Sequence, residues 1–140
     1  MTSYDDGNIF AKILRGEIPS LKLYEDDTAM AIMDIMPQSK GHCLVIPKAP
    51  SRNLLDADDS TLAAVMPIVG RLARAVRRAF GADGVQVAQF NEEPAGQTVF
   101  HLHFHVVPVY AGVPVARHGG GSAPQAELEE QAEQIRAALA

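Results

Sequence analysis

The sequence holds a single cysteine, no surplus of positive charge and no long apolar run, and each shortage closes a class of function. With Cys43 alone among 140 residues, no intrachain disulfide can form, which fits a reducing compartment. Lysine and arginine number 12 against 17 aspartate and glutamate, a formal net charge of −5. Such a chain does not attract a polyanion through its long-range field, so nucleic acid is not an expected partner; a small phosphorylated ligand held by local donors stays open. No apolar stretch approaches the roughly 20 residues that span a bilayer. The opening Met1-Thr2-Ser3-Tyr4-Asp5-Asp6 has neither the basic nor the apolar part of a signal peptide. No membrane contact is expected, and the expected compartment is the cytoplasm.

What remains is the composition of a globular protein, 47 % hydrophobic and 21 % charged. The length fits one domain, 1–140, large enough to bury its own core. Residues 1–8 read as a loose polar lead. Ile9 to Arg15 has apolar residues three and four apart and stops at Gly16, so it reads as a short helix. Leu21–Tyr24 and Ala29–Met33 read as strands joined by the turn Glu25-Asp26-Asp27. Cys43–Ile46, continuously apolar and followed by Pro47, reads as a buried strand.

A long helix is expected from Thr61 to Phe80, capped by Asp58-Asp59-Ser60 and closed by Gly81; Pro67 should bend it or mark its true start. Its Arg71, Arg74, Arg77 and Arg78 read as a solvated face in preference to a phosphate patch. Val85–Phe90 and Phe100–Val107 read as a hairpin pair around the loop Asn91–Gln97, the second strand ended by Pro108. After Gly119-Gly120-Gly121, Pro124 opens a C-terminal helix through Leu139.

The chemistry gathers in His101-Leu102-His103-Phe104-His105. Side chains alternate along a strand, so the three imidazoles share one face, about 6.5 Å apart, while Leu102, Phe104 and Val106 turn to a core. Imidazole titrates near neutrality, so one ring can attack phosphorus as a neutral nucleophile while its neighbours donate to the phosphoryl oxygens. His103, flanked on both sides, is the best placed nucleophile. From spacing alone two other readings stay open: a zinc site with a further ligand elsewhere, and a solvated strand face.

The run Gly96-Gln97-Thr98-Val99-Phe100-His101-Leu102-His103-Phe104-His105-Val106-Val107 resembles the histidine triad (HIT) family of nucleotide hydrolases and transferases, whose pattern alternates histidine with apolar residues. Asn8-Ile9-Phe10 through Ile18-Pro19, and Asp34-Ile35 with Gly41-His42-Cys43-Leu44-Val45-Ile46-Pro47-Lys48, resemble two further blocks of its Hint-like branch. The resemblance covers roughly residues 8–110 and leaves about 111–140 as a C-terminal extension. It implies an α+β fold, an antiparallel sheet of about five strands carrying one long helix, and a homodimer. It implies purine nucleotide conjugates as substrates, His103 as the nucleophile, and His105, His101 and His42 beside it. Asp34 matches the acidic residue on the ribose hydroxyls. Ile9, Phe10, Ile13, Ile32 and Ile35 match the apolar base pocket, and Asn91, Gln97 and Thr98 match residues near the phosphate and leaving group, where Gly96 would let the backbone approach that phosphate.

Two departures from the family are visible. Some bacterial members bind a structural zinc through Cys-x-x-Cys and a later histidine; here Asn8, Ala11 and Pro50 occupy those places, so no metal and no other cofactor is expected. The tail that shapes the leaving-group side in the eukaryotic branch is replaced by a Gly-rich loop and a helix. The expected function is hydrolysis of nucleoside phosphoramidates or related conjugates. Dinucleoside polyphosphate hydrolysis and a nucleotide-binding interaction module are the alternatives.

Overall fold

The structure, a computed structural model, describes residues 3–140. Its elements run α1 (Ile9–Leu14), β1 (Lys22–Glu25), β2 (Ala29–Met33), β3 (Cys43–Pro47), α2 (Asp59–Phe80), β4 (Gly84–Ala88), β5 (Phe104–Val109) and α3 (Gln125–Leu139), with one 3₁₀ turn at Glu93–Ala95. The strands form a single antiparallel sheet in the order β1-β2-β3-β5-β4. This is the expected α+β architecture.

Both faces of the central strands are covered, which is why β2 and β3 are apolar at every position. Ala29, Ala31, Met33, Cys43 and Val45 face a core closed by α2 and α3. Met30, Ile32, Leu44 and Ile46 face a smaller cluster with Phe10 and Ile13 of α1. Helix α2 buries Val65, Ile68, Val69, Leu72, Ala75 and Val76, one stripe at helical spacing. Pro67 lies inside α2 and does not mark its start. Asp58 holds the N-cap position without a side-chain cap bond, and Gly81 ends the helix in the left-handed region. The four arginines are exposed, as expected of a solvated face; Arg78 also donates to the Ala138 carbonyl of α3. Helix α3 is no appendage: Leu128, Ala132 and Ile135 are buried in the main core.

Three boundaries differ from the sequence reading for stated reasons. Strand β5 begins at Phe104, not Phe100. The amide of Leu102 bonds the Ser51 carbonyl at 2.9 Å, so the backbone there joins a loop and not the ladder. Pro108 lies within β5 because the β3 ladder ends at Val106, leaving no β3 partner that needs its missing N–H. Strand β4 stops at Ala88, and Gln89 turns aside to pair its amide with Asn91. The lead also departs from expectation: Asn8 caps α1 through the Ala11 amide, and Tyr4 is tied to His101. Met1 and Thr2, the rest of that lead, lie outside the described residues.

Candidate active site

The histidines meet where β3 and β5 run side by side. Leu44 pairs with His105 across the two strands, and His42 sits just before β3 on a turn through Gly41. That turn requires glycine: its φ is +93°, and a Cβ there would lie 2.5 Å from the Phe80 ring. His42 is fully buried, and His101, His103 and His105 nearly so.

Hydrogen bonds assign each ring its proton. The Gln38 amide donates to His42 Nδ1 at 3.0 Å, so the proton of neutral His42 is on Nε2. That Nε2 lies 3.0 Å from His105 Nδ1, so His105 accepts there and carries its own proton on Nε2. His103 Nδ1 donates to the His101 carbonyl at 2.7 Å, which leaves the Nε2 lone pair free. His101 Nε2 donates to the Pro47 carbonyl at 2.7 Å, and its Nδ1 accepts from the Tyr4 hydroxyl at 2.7 Å. Both His101 nitrogens are therefore occupied within the protein. Its ring holds the backbone whose carbonyl orients His103, and does not offer a nitrogen to a ligand.

Two groups on neighbouring rings, 5.1 Å apart between centres, result: a bare lone pair on His103 and an N–H on His105. Among the described residues, His105 Nε2 is the buried side-chain nitrogen or oxygen without a hydrogen-bond partner. Burial pushes His42 and His103 down to about 4 and, with repulsion from neighbouring rings, His105 to about 3. His101 is lowered by the same cause. The rings are thus neutral near pH 7, the state in which His103 is nucleophilic.

These atoms open onto a cleft of about 200 Å³. Ile9, Phe10, Ile13, Ile32 and Ile35 all line it, with Asp34, Thr98, His103, His105 and His118 at its polar end. Phe10 packs edge-on against His103 at 4.7 Å between ring centres. Burial raises Asp34, opposed by the Met36 amide on its Oδ1 and by His118; its Oδ2 stands 3.4 Å from His42 Nε2.

Asn91, Gly96 and Gln97 are not brought to the cleft. The buried Gln97 amide accepts from Asn53 Nδ2 and the Glu92 amide, and donates to the Arg52 and Val99 carbonyls. Asn91 accepts from the Leu54 amide. Gly96, at φ +104°, closes the 3₁₀ turn against Phe90, and Phe90 in turn packs on His105. These residues fix the loop that presents Thr98. Sequence reading missed His118, which stands edge-on to His105 at 4.8 Å between centres. Its position in the C-terminal tail gave no local signal.

Fold and cleft together define an α+β protein with a histidine cluster at the polar end of an apolar slot. The HIT domain model matches residues 15–112, and the chain belongs to that family. A crystal structure of a HIT-like protein involved in cell-cycle regulation from Bartonella henselae, with an unknown ligand, superposes with a TM-score of 0.94. It is 54 % identical and covers 98 % of this chain and 99 % of that one. The adenosine 5′-monophosphoramidase of Schizosaccharomyces pombe is 40 % identical over 71 % of this chain and 72 % of its own. An Arabidopsis thaliana adenylylsulfatase is 42 % identical over 71 % of this chain, a match spanning 51 % of that protein.

Proposed function

We propose that the protein hydrolyses purine nucleoside phosphoramidates or related AMP and GMP conjugates at the α-phosphate, through a covalent nucleotidyl-histidine on His103. One observation carries the reading: the free Nε2 lone pair of His103 stands beside the unpartnered Nε2–H of His105. The first is a nucleophile for phosphorus, and the second is a donor for a phosphoryl oxygen whose charge grows in the transition state. The slot lined by Ile9, Phe10, Ile13, Ile32 and Ile35 suits a flat apolar base, and the Asp34 carboxylate suits ribose hydroxyls. His42 and His101 act by holding His105 and His103. Gln97, Asn91 and Gly96 hold the loop that brings Thr98 to the leaving group. Two relatives named for nucleotide hydrolysis support the class of reaction.

Incubation with an adenosine 5′-phosphoramidate should release AMP, and rapid acid quenching should trap an adenylyl adduct whose mass maps to His103. AMP release with the label on another residue would refute the assigned nucleophile. No AMP release from this substrate or its guanosine counterpart would refute the activity.

The proposal includes a homodimer in the cytoplasm. Strand β4 is an outer strand with Val87 47 % exposed, while Met66, Leu54 and Leu55 are exposed by 47 %, 41 % and 62 %. An open strand edge and uncovered apolar side chains are what a second copy would cover. Sedimentation should report twice the chain mass of 15.0 kDa; a single-chain mass at micromolar concentration would refute it. The lone, buried Cys43 is consistent with a reducing compartment.

A further inference from the structure

We propose that Tyr4, in the polar lead ahead of the family domain, is a positioning residue for the nucleophile: through His101 it fixes the peptide carbonyl that aims His103. The inference rests on the nucleotidyl-transfer reading above and deepens it.

The His103 ring takes its direction from the bond that its Nδ1 gives to the His101 carbonyl at 2.7 Å. That carbonyl belongs to the peptide unit between His101 and Leu102. The unit lies before β5 begins at Phe104, so the sheet ladder does not hold it. Its N–H end, the Leu102 amide, donates to the Ser51 carbonyl at 2.9 Å. The unit could still swivel about that bond, and the His101 side chain, attached at the neighbouring Cα, opposes the swivel because it is tied at both nitrogens. Nε2 faces the Pro47 carbonyl at 2.7 Å, and a carbonyl only accepts, so Nε2 carries the proton. Nδ1 of the neutral ring is then a lone pair, and the Tyr4 hydroxyl, 2.7 Å away, donates to it. His101 is 1 % exposed, and a buried acceptor that loses its donor is costlier than an exposed one. Held at Nε2 alone, the ring would turn about a single bond and release the carbonyl.

The hydroxyl is itself oriented. Asn8 Nδ2 donates to the Tyr4 oxygen at 3.2 Å and to the Asp5 carbonyl at 2.8 Å, with one hydrogen for each. The Tyr4 oxygen accepts from Asn8, so its own hydrogen turns to His101. Asn8 Oδ1 meanwhile accepts from the Ala11 amide and caps α1, the helix that brings Phe10 and Ile13 to the slot. The Tyr4 ring stands edge-on to His101, 5.6 Å between centres at 68°, and is not among the groups lining the slot. The lead thus meets the site in two places through separate atoms: the slot through the Asn8 cap, and the nucleophile through the Tyr4 hydroxyl. Deleting the hydroxyl leaves the cap bond and the Asn8–Asp5 bond in place, so the loss falls on attack and not on binding. Attack on phosphorus is sensitive to such a loss, because a misplacement of about 1 Å can cost roughly 10²-fold in rate.

Tyr4→Phe keeps the ring and deletes only the oxygen. With enzyme in excess over an adenosine 5′-phosphoramidate, the single-turnover rate of AMP formation at saturation should fall about 10- to 100-fold. The half-saturating concentration and the dissociation constant of AMP should stay within about twofold of wild type. A double-mutant cycle with His101→Asn checks the route: once the ring is gone, Tyr4→Phe should lower the rate by less than about twofold more. An unchanged rate in Tyr4→Phe, beside an active wild type, would overturn the proposal. So would a rate loss matched by an equal loss of AMP affinity, which would put the role of the lead at the slot, and so would losses that multiply in the cycle. If His101→Asn does not fold, the split between rate and affinity decides by itself. A wild type that releases no AMP would overturn the nucleotidyl-transfer reading, and this inference with it.

Discussion

Replacing His103 with alanine will lower nucleotide release by roughly 10⁴-fold or more, because no other ring of the buried cluster offers a free lone pair there. The bonding pattern leaves few alternatives. His101 spends one nitrogen on Pro47 and the other on Tyr4. His42 spends its pair on Gln38 and His105. His105 points a proton, not a lone pair, at the cleft. Of the four buried rings, only His103 has a free lone pair on the cleft. The variant should still fold, since the lost ring packs on Phe10 and His105 at the cleft wall, and thermal unfolding would check this. It should also still bind AMP through the apolar slot. Retention of activity within tenfold, in a variant shown to be free of wild-type enzyme, would mean that the attacking atom lies elsewhere.

The second large effect is on stability in acid. At pH 7 these rings are neutral in the folded chain and mostly neutral in the unfolded one, so little is lost. Below about 6.5 the unfolded histidines take up protons, while the folded rings resist until about 4 for His42 and His103 and about 3 for His105. The unfolded state then binds more protons, so stability falls as pH falls. Each ring contributes at most about 1.4 kcal/mol per pH unit between its unfolded and folded values. Three rings together approach about 4 kcal/mol per unit, against a total stability of about 5–15 kcal/mol for an ordinary domain. Asp34, raised by burial, works in the opposite direction and softens the slope. Urea unfolding at pH 7, 6 and 5 should show a steep fall in midpoint. A midpoint unchanged from pH 7 to 5 would mean that the histidines are not buried neutral.

Much of the frame was legible because local pattern determines it. The unbroken apolar runs of β2 and β3 announce strands covered on both faces, and Leu102, Phe104 and Val106 do turn to the core opposite the histidines. The five apolar residues assigned by resemblance to the base slot do line one cleft. What a ring nitrogen does was not legible. His101 is quenched by Tyr4, 97 residues away, and by Pro47, 54 away, contacts that no periodicity encodes. Gln97 resembles a residue near the phosphate, yet its amide is consumed inside the loop by partners that only the fold brings together. His118 was overlooked because it meets His105 only in the fold, and the Gly-rich sequence around it reads as a plain connector.

The row of protons that ends at Gln38 starts from a main-chain amide. Any residue at position 38 supplies that N–H, except proline. The polarity of His42 and His105 is therefore indifferent to which side chain stands there, and drift at this position would leave the hydrogen-bond direction untouched. A site anchored on the backbone in this way is sheltered from most point mutations, and its most important donor is invisible to any comparison of side chains.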